Sequence, residues 1–256
     1  MKRKFVSLYH PSLLYLFDKN EQRALALFFK AKKAYKNSCY YNWSYSSLAK
    51  KLNLSIYIVK KYIPILIEKG FAYEHGDNLI FKSTYKIVNE DNDGFSKKGW
   101  YELKIKFKDS LGTILEEIYL AQIKQEISHQ EYHIRNKADY QLAQSENGYI
   151  SKGKIKHVKK YVKEFGKPGK VLKDVVLGSR KISQICNISL GKTNSVINNL
   201  EKSKKIKTKV LSNIIDRNVN GKYLDAIRDA YKNEIGYLFV KNGALISIIG
   251  TSIIIL

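Results

Sequence analysis

Residues Ser44–Phe81 read SYSSLAKKLNLSIYIVKKYIPILIEKGFAYEHGDNLIF. Ser44 is a good helix N-cap, and Leu48, Ala49 and Leu52 follow it at helical spacing. Asn53-Leu54 suits a turn. Ser55 then caps a longer helix carrying Val59, Ile63 and Leu66, which Gly70 terminates. Two β-rich runs come next, Phe71–Glu74 and Asn78–Phe81, joined at Gly76-Asp77. The stretch predicts two closely linked helices followed by a hairpin.

The same pattern returns later. Shifting the chain by 134 residues lays Leu48 on Ile182, Asn53 on Asn187, Leu54 on Ile188, Ser55 on Ser189, Ile63 on Ile197 and Leu66 on Leu200. A helix-turn-helix needs these residue types: the first helix presses apolar residues onto the second, the turn takes a small polar residue and a capping hydroxyl, and the second helix keeps one face outward. On these residues the chain resembles the winged-helix family twice, in Ser44–Phe81 and in Gly178–Val210, where the second copy runs into a basic strand. The tandem arrangement is similar to plasmid-type replication initiators, in which one module pairs protomers and the other binds origin repeats. The resemblance implies an α+β, mainly helical fold with two winged-helix modules, short hairpin wings and a small C-terminal antiparallel hairpin or sheet.

Outside the repeat, Asn20 can cap a helix with Ala24, Leu25, Phe28, Ala31 and Tyr35 on one face and Lys30, Lys32 and Lys33 mainly on others. The acidic, core-free run of residues 89–98 reads as a linker between an N-terminal domain, 1–88, and a C-terminal domain, 99–256. Tyr101, Leu103, Ile105 and Phe107 alternate with polar residues as a half-buried strand, and Asp109-Ser110 precede a long helical pattern through Ile114, Ile118 and Ile123. Residues 151–173 form a lysine-rich helical pattern around Ile155, Val158, Val162 and Phe165, ended by Lys167-Pro168-Gly169. Its uniform sign leaves a solvated face and a phosphate-binding face equally open. After Val210, residues 213–233 read as a loop and a helix. The apolar C-terminus reads as three strands, Tyr237–Lys241, Ala244–Ile249 and Ser252–Leu256, turning at Asn242-Gly243 and Gly250-Thr251-Ser252, in preference to a tail anchor.

Composition narrows the partner. The 256 residues carry 46 lysines and arginines against 23 acids, a net charge of +23, with 44% hydrophobic residues, so the chain can bury a core and still seek a polyanion. With only six arginines, bidentate guanine reading has few candidates. Cys39 and Cys186 lie far apart, which suggests neither a disulfide framework nor a zinc ribbon and fits a reducing, cytoplasmic compartment. The basic start, Lys2-Arg3-Lys4, leads into an apolar run broken by His10-Pro11 and does not read as a secretory signal.

The two copies offer different chemistry. The second helix of the first copy exposes Ile56, Tyr57, Lys60 and Lys61, and its wing carries Glu74 and Asp77, which repel phosphate. The second copy offers Arg180 and Lys181 on its first helix, then Leu190, Gly191, Lys192, Asn194, Ser195, Asn198 and Asn199, followed by Lys202, Lys204, Lys205, Lys207 and Lys209. Asparagine can pair with adenine, lysine reaches guanine or phosphate, and Gly191 permits close approach. The expected DNA-binding set is therefore centred on the second copy, with Tyr57, Lys60 and Lys61 adding backbone contact and the first copy pairing with another protomer or a partner.

Gly191-Lys192-Thr193 imitates the end of a phosphate-binding loop but lacks the strand-loop-helix setting and its leading glycine, Cys186 standing there instead. His129 and His133 have helical ligand spacing without a third ligand. The expectation is a non-enzymatic protein without cofactor or metal that reads double-stranded DNA as a transcription regulator or replication initiator of a bacterium or mobile element. The alternatives are a structural protein, such as a virion component, that binds nucleic acid without reading it, and a membrane-tethered regulator.

Overall fold

The structure, a computed structural model, describes residues 7–34, 38–90, 99–146, 177–216, 238–241 and 244–256, and their side chains apart from 90, 130–146, 210–252 and 254. In chain order the elements are β1 (Ser7–Tyr9), α1 (Ser12–Tyr15), α2 (Gln22–Ala34), β2 (Cys39–Tyr40), α3 (Tyr45–Leu52), α4 (Ile56–Glu68), β3 (Ala72–His75), β4 (Asn78–Phe81), α5 (Thr84–Glu90) and β5 (Tyr101–Leu103). There follow α6 (Leu111–Glu146), α7 (Ser179–Ile185), α8 (Leu190–Lys202), β6 (Ile206–Asp216), β7 (Leu238–Lys241) and β8 (Ala244–Ile255). The fold is α+β. Its described sheets are small and antiparallel, in the orders β1-β5, β2-β4-β3 and β6-β8-β7.

The chain divides into two compact units, Met1–Gln125 with Ser183–Val196, and Glu126–Ile182 with Ile197–Leu256. Composition places a boundary at 89–98, but β1 pairs with β5 across that stretch, Ser7 opposite Leu103 and Tyr9 opposite Tyr101, so both flanks belong to the first unit.

Helix α2 is the centre of the first unit. Ala24 to Ala31 are all buried, and a helix buried around its whole circumference lies inside a core rather than on it. Phe28 meets Phe29, Phe71 and Phe81 at ring separations of 5.3, 5.2 and 6.1 Å. Lys30, expected mainly off the apolar face, is drawn into the core as well: it is 3% exposed, and its ammonium donates to the carbonyls of Phe107 at 2.7 Å and Asp109 at 2.6 Å. Those bonds, with the Lys106 amide donating to Asp109 Oδ2 at 2.7 Å, turn the chain after Ile105. The strand expected through Phe107 therefore stops at Leu103, and Phe107 is exposed beneath the Lys30 ammonium.

Lys32 is also drawn inward, donating to Ser38 Oγ and the Lys82 carbonyl at 2.8 and 3.0 Å. Burial brings its pKa down from 10.5 to about 8. Below that value both states hold the proton and the fold bears the full cost of a buried charge. Between about 8 and 10.5 the unfolded chain keeps a proton that the folded chain has released, so the unfolding free energy rises with pH. Relative to Lys32→Met, the wild type should gain about 1 kcal/mol between pH 8 and 10, allowing for partial solvent screening. Urea unfolding of both proteins across that range checks this, and a flat difference contradicts it.

The repeat is reproduced bond by bond. Asn53 and Asn187 both adopt left-handed backbone, φ 52° and 48°, a conformation asparagine tolerates better than most residues. The Leu54 amide donates to Ala49 O at 3.0 Å, and the Ile188 amide to Ser183 O at 3.0 Å. Ser55 Oγ accepts from the Ile58 amide and Ser189 Oγ from the Lys192 amide, each at 3.4 Å. At the far end of the second helix, Phe71 N donates to Leu66 O at 2.8 Å and Lys205 N to Leu200 O at 2.9 Å, next to the left-handed Gly70 (φ 71°) and Lys204 (φ 54°). All these pairs keep the 134-residue offset.

The C-terminal region departs from expectation. No turn interrupts residues 250–252: β8 is continuous, with Gly250 opposite Leu211, Thr251 opposite Val210 and Ser252 opposite Lys209. Residues 213–216 belong to strand β6 instead of a loop. The cause is a long partner strand, and register shifts between Leu211 and Ser212 and between Ile214 and Asp216 each absorb one extra residue as a bulge. The helix expected before residue 233 and the basic helix of 151–173 lie outside the described residues. No described helix is long and apolar enough to cross a membrane.

Candidate nucleic-acid interface

Helix α8 has one buried side and one open side. Thr193, Val196 and Leu200 are buried, and the Thr193 hydroxyl is absorbed locally by donating to Ser189 O at 3.1 Å. Exposed between them are Lys192, Asn194, Ser195, Asn198 and Lys202. Asn194, Asn198 and Lys202 stand at successive i, i+4 positions and so form one ridge, with Lys192, Ser195 and Asn199 forming the next. The face is amide, hydroxyl and ammonium. The sole carboxylate of α8, Glu201, accepts from the Thr208 amide at 2.9 Å and the Thr208 hydroxyl at 2.5 Å, bonds that hold its pKa below the ordinary value.

Those Glu201 bonds fix the start of β6 within the second unit. Ile206 is buried there and Thr208 half-buried, while Lys207 and Lys209 are exposed at the alternating positions. Lys204 is exposed in the turn before the strand, and Lys205 is half-buried.

Other expected residues are placed differently from one another. Arg180 and Lys181 are exposed on α7, but Lys181 pairs with Glu126 at 3.2 Å, which meets part of its charge. Within the first unit the Lys192 ammonium lies 5.8 Å from the centre of the Tyr119 ring, and burial, reinforced by the nearby positive charge of Arg23, lowers its pKa. In the first copy, Tyr57, Lys60 and Lys61 are exposed on α4, and Ile56 and Tyr57 are 44% and 70% accessible. Glu74 and Asp77 are exposed on its hairpin. His129 is exposed on α6, and the side chain of His133 lies outside the described residues.

Four contributors escaped the sequence reading. Gln22, 1% exposed, donates from Nε2 to the carbonyls of Cys186 at 3.0 Å and Asn187 at 2.9 Å and accepts the Tyr119 hydroxyl at 2.6 Å. It fixes the turn between α7 and α8. Tyr15 adds a bond to Ile185 O at 3.2 Å, and Asn187 Nδ2 donates to Phe17 O at 3.2 Å. A glutamine inside an apolar helix face was the available clue. Arg23 and Lys108 are the other two. They line a cleft with Lys61 although they are remote from it in sequence, and no local pattern marks them.

No family model, curated protein or solved structure matches the chain.

Proposed function

We propose that the chain is a sequence-specific double-stranded-DNA-binding protein with two winged-helix modules, acting as a transcription regulator or replication initiator of a bacterium or mobile element. The observation that carries this reading is the open face of α8, a ridge of asparagines and lysines free of acids, running in sequence into the lysine positions of β6. Asparagine amides supply base-edge contacts in a major groove and the lysines supply phosphate contacts. The first copy serves in pairing with a second protomer, with Lys60 and Lys61 adding backbone contact. Exposed Ile56 and an acidic hairpin support that division of labour.

Enrichment of random duplex DNA on the purified protein at near-physiological salt tests the reading, with a Lys192→Ala/Asn194→Ala/Asn198→Ala variant beside it. The wild type is expected to recover a motif that the variant loses. A two-fold symmetric motif favours a regulator and direct repeats favour an initiator. Tight binding without any motif, with steep salt dependence, would replace this reading by a protein that packs nucleic acid without reading it.

A further inference from the structure

A cleft of about 430 Å³ opens in the first unit between α2, the start of α4 and the start of α6. Arg23, Lys30, Lys61 and Lys108 line it, with Asp109 the only acid among the lining residues, and one oxygen of Asp109 already accepts the Lys106 amide. Among the described residues no carboxylate pairs with Arg23, Lys61 or Lys108. Lys30 is satisfied by the Phe107 and Asp109 carbonyls, so Arg23, Lys61 and Lys108 carry the remaining positive charge of the lining, which a bound anion would offset. Leu111 and Gly112, the first residues of α6, also line the cleft. Their amides find no acceptor among the described residues, whereas the Thr113 amide is capped by Ser110 Oγ at 3.1 Å. Helix-start amides beside fixed cations suit a phosphate. Leu54, Ile58, Tyr62 and the exposed ring of Tyr57 give the remaining wall an apolar part beside the polar Asn53 and Ser110. A phosphate with a flat base attached matches both halves, and the volume lies in the range of small-ligand sites.

We propose that this cleft binds a nucleotide phosphate, held by Arg23, Lys61 and the start of α6, and that the base of a free mononucleotide lies against Tyr57. Lys30 is a positioning residue, since its bonds to Phe107 and Asp109 hold the loop that leads into α6. The phosphate has two sources, a free mononucleotide or the backbone of bound DNA. Calorimetric titration of the full chain with AMP, and with adenosine as the phosphate-free probe, separates them. If the source is free, AMP binds, adenosine binds at least about tenfold more weakly, and an Arg23→Gln/Lys61→Gln variant with unchanged melting temperature loses about tenfold in AMP affinity. If the source is DNA, AMP does not bind, and the same variant flattens the salt dependence of DNA binding by a slope of about 2. AMP binding that the variant leaves intact, or no AMP binding with a salt slope flattened by no more than the one contact already assigned to Lys61, overturns the proposal. An Asn194→Ala/Asn198→Ala variant, which leaves Lys192 beside Arg23 in place, should keep AMP affinity, so a failed DNA reading and a failed cleft give different results.

Discussion

Exchanging Lys204, Lys207 and Lys209 together for glutamine is expected to weaken duplex binding on the order of a hundredfold at near-physiological salt and to flatten the slope of log affinity against log salt by about 3. The two strand lysines stand two residues apart on the exposed side of β6, roughly 7 Å from one to the next, and Lys204 precedes them in the turn. The opposite side of the strand, with buried Ile206 and with Thr208 held by Glu201, is untouched, so the hairpin should keep its pairing with β8. Because these lysines are assigned to phosphates, the loss should be nearly equal for cognate and unrelated duplexes. Fluorescence anisotropy with both, over a salt series, measures it. A loss confined to the cognate duplex would make the lysines base-reading, and an unchanged slope would remove β6 from the interface.

Gln22→Leu should cost about 3 kcal/mol and lower the melting temperature by roughly 10 °C. Leucine matches glutamine in size, so the change removes polarity rather than volume. Two backbone carbonyls and the Tyr119 hydroxyl then lose their partners in a buried setting. Since two of the three bonds end on the turn between α7 and α8, hydrogen exchange should speed up first at Asn187 and Ile188, ahead of the α2 core. A loss under about 1 kcal/mol would mean that water replaces the missing donor and acceptor.

What was legible in the sequence is what local chemistry decides. Capping serines at 44, 55 and 189, turn asparagines at 53 and 187 and apolar helical spacing were enough to locate both helix pairs, and the offset between them held through the hydrogen bonds that end each second helix. What was not legible depends on a partner distant in sequence. Lys30 looks like a surface lysine until the Phe107–Asp109 carbonyls arrive. Gly250 looks like a turn until β6 lies beside it and a bulge takes up the slack. Within the site, the exposed positions of α8 followed from its period. The cleft did not, because Arg23, Lys61 and Lys108 come from three separate segments.

The two copies differ at one corner of the backbone. Where the first copy closes its second helix with Gly70, the second holds Lys204 in the same left-handed conformation. A side chain there costs about 1 kcal/mol that glycine avoids. At this position robustness and charge are opposed: a glycine would relax the turn and delete a cation in the same stroke, so under the proposed function the more durable protein would be the weaker binder.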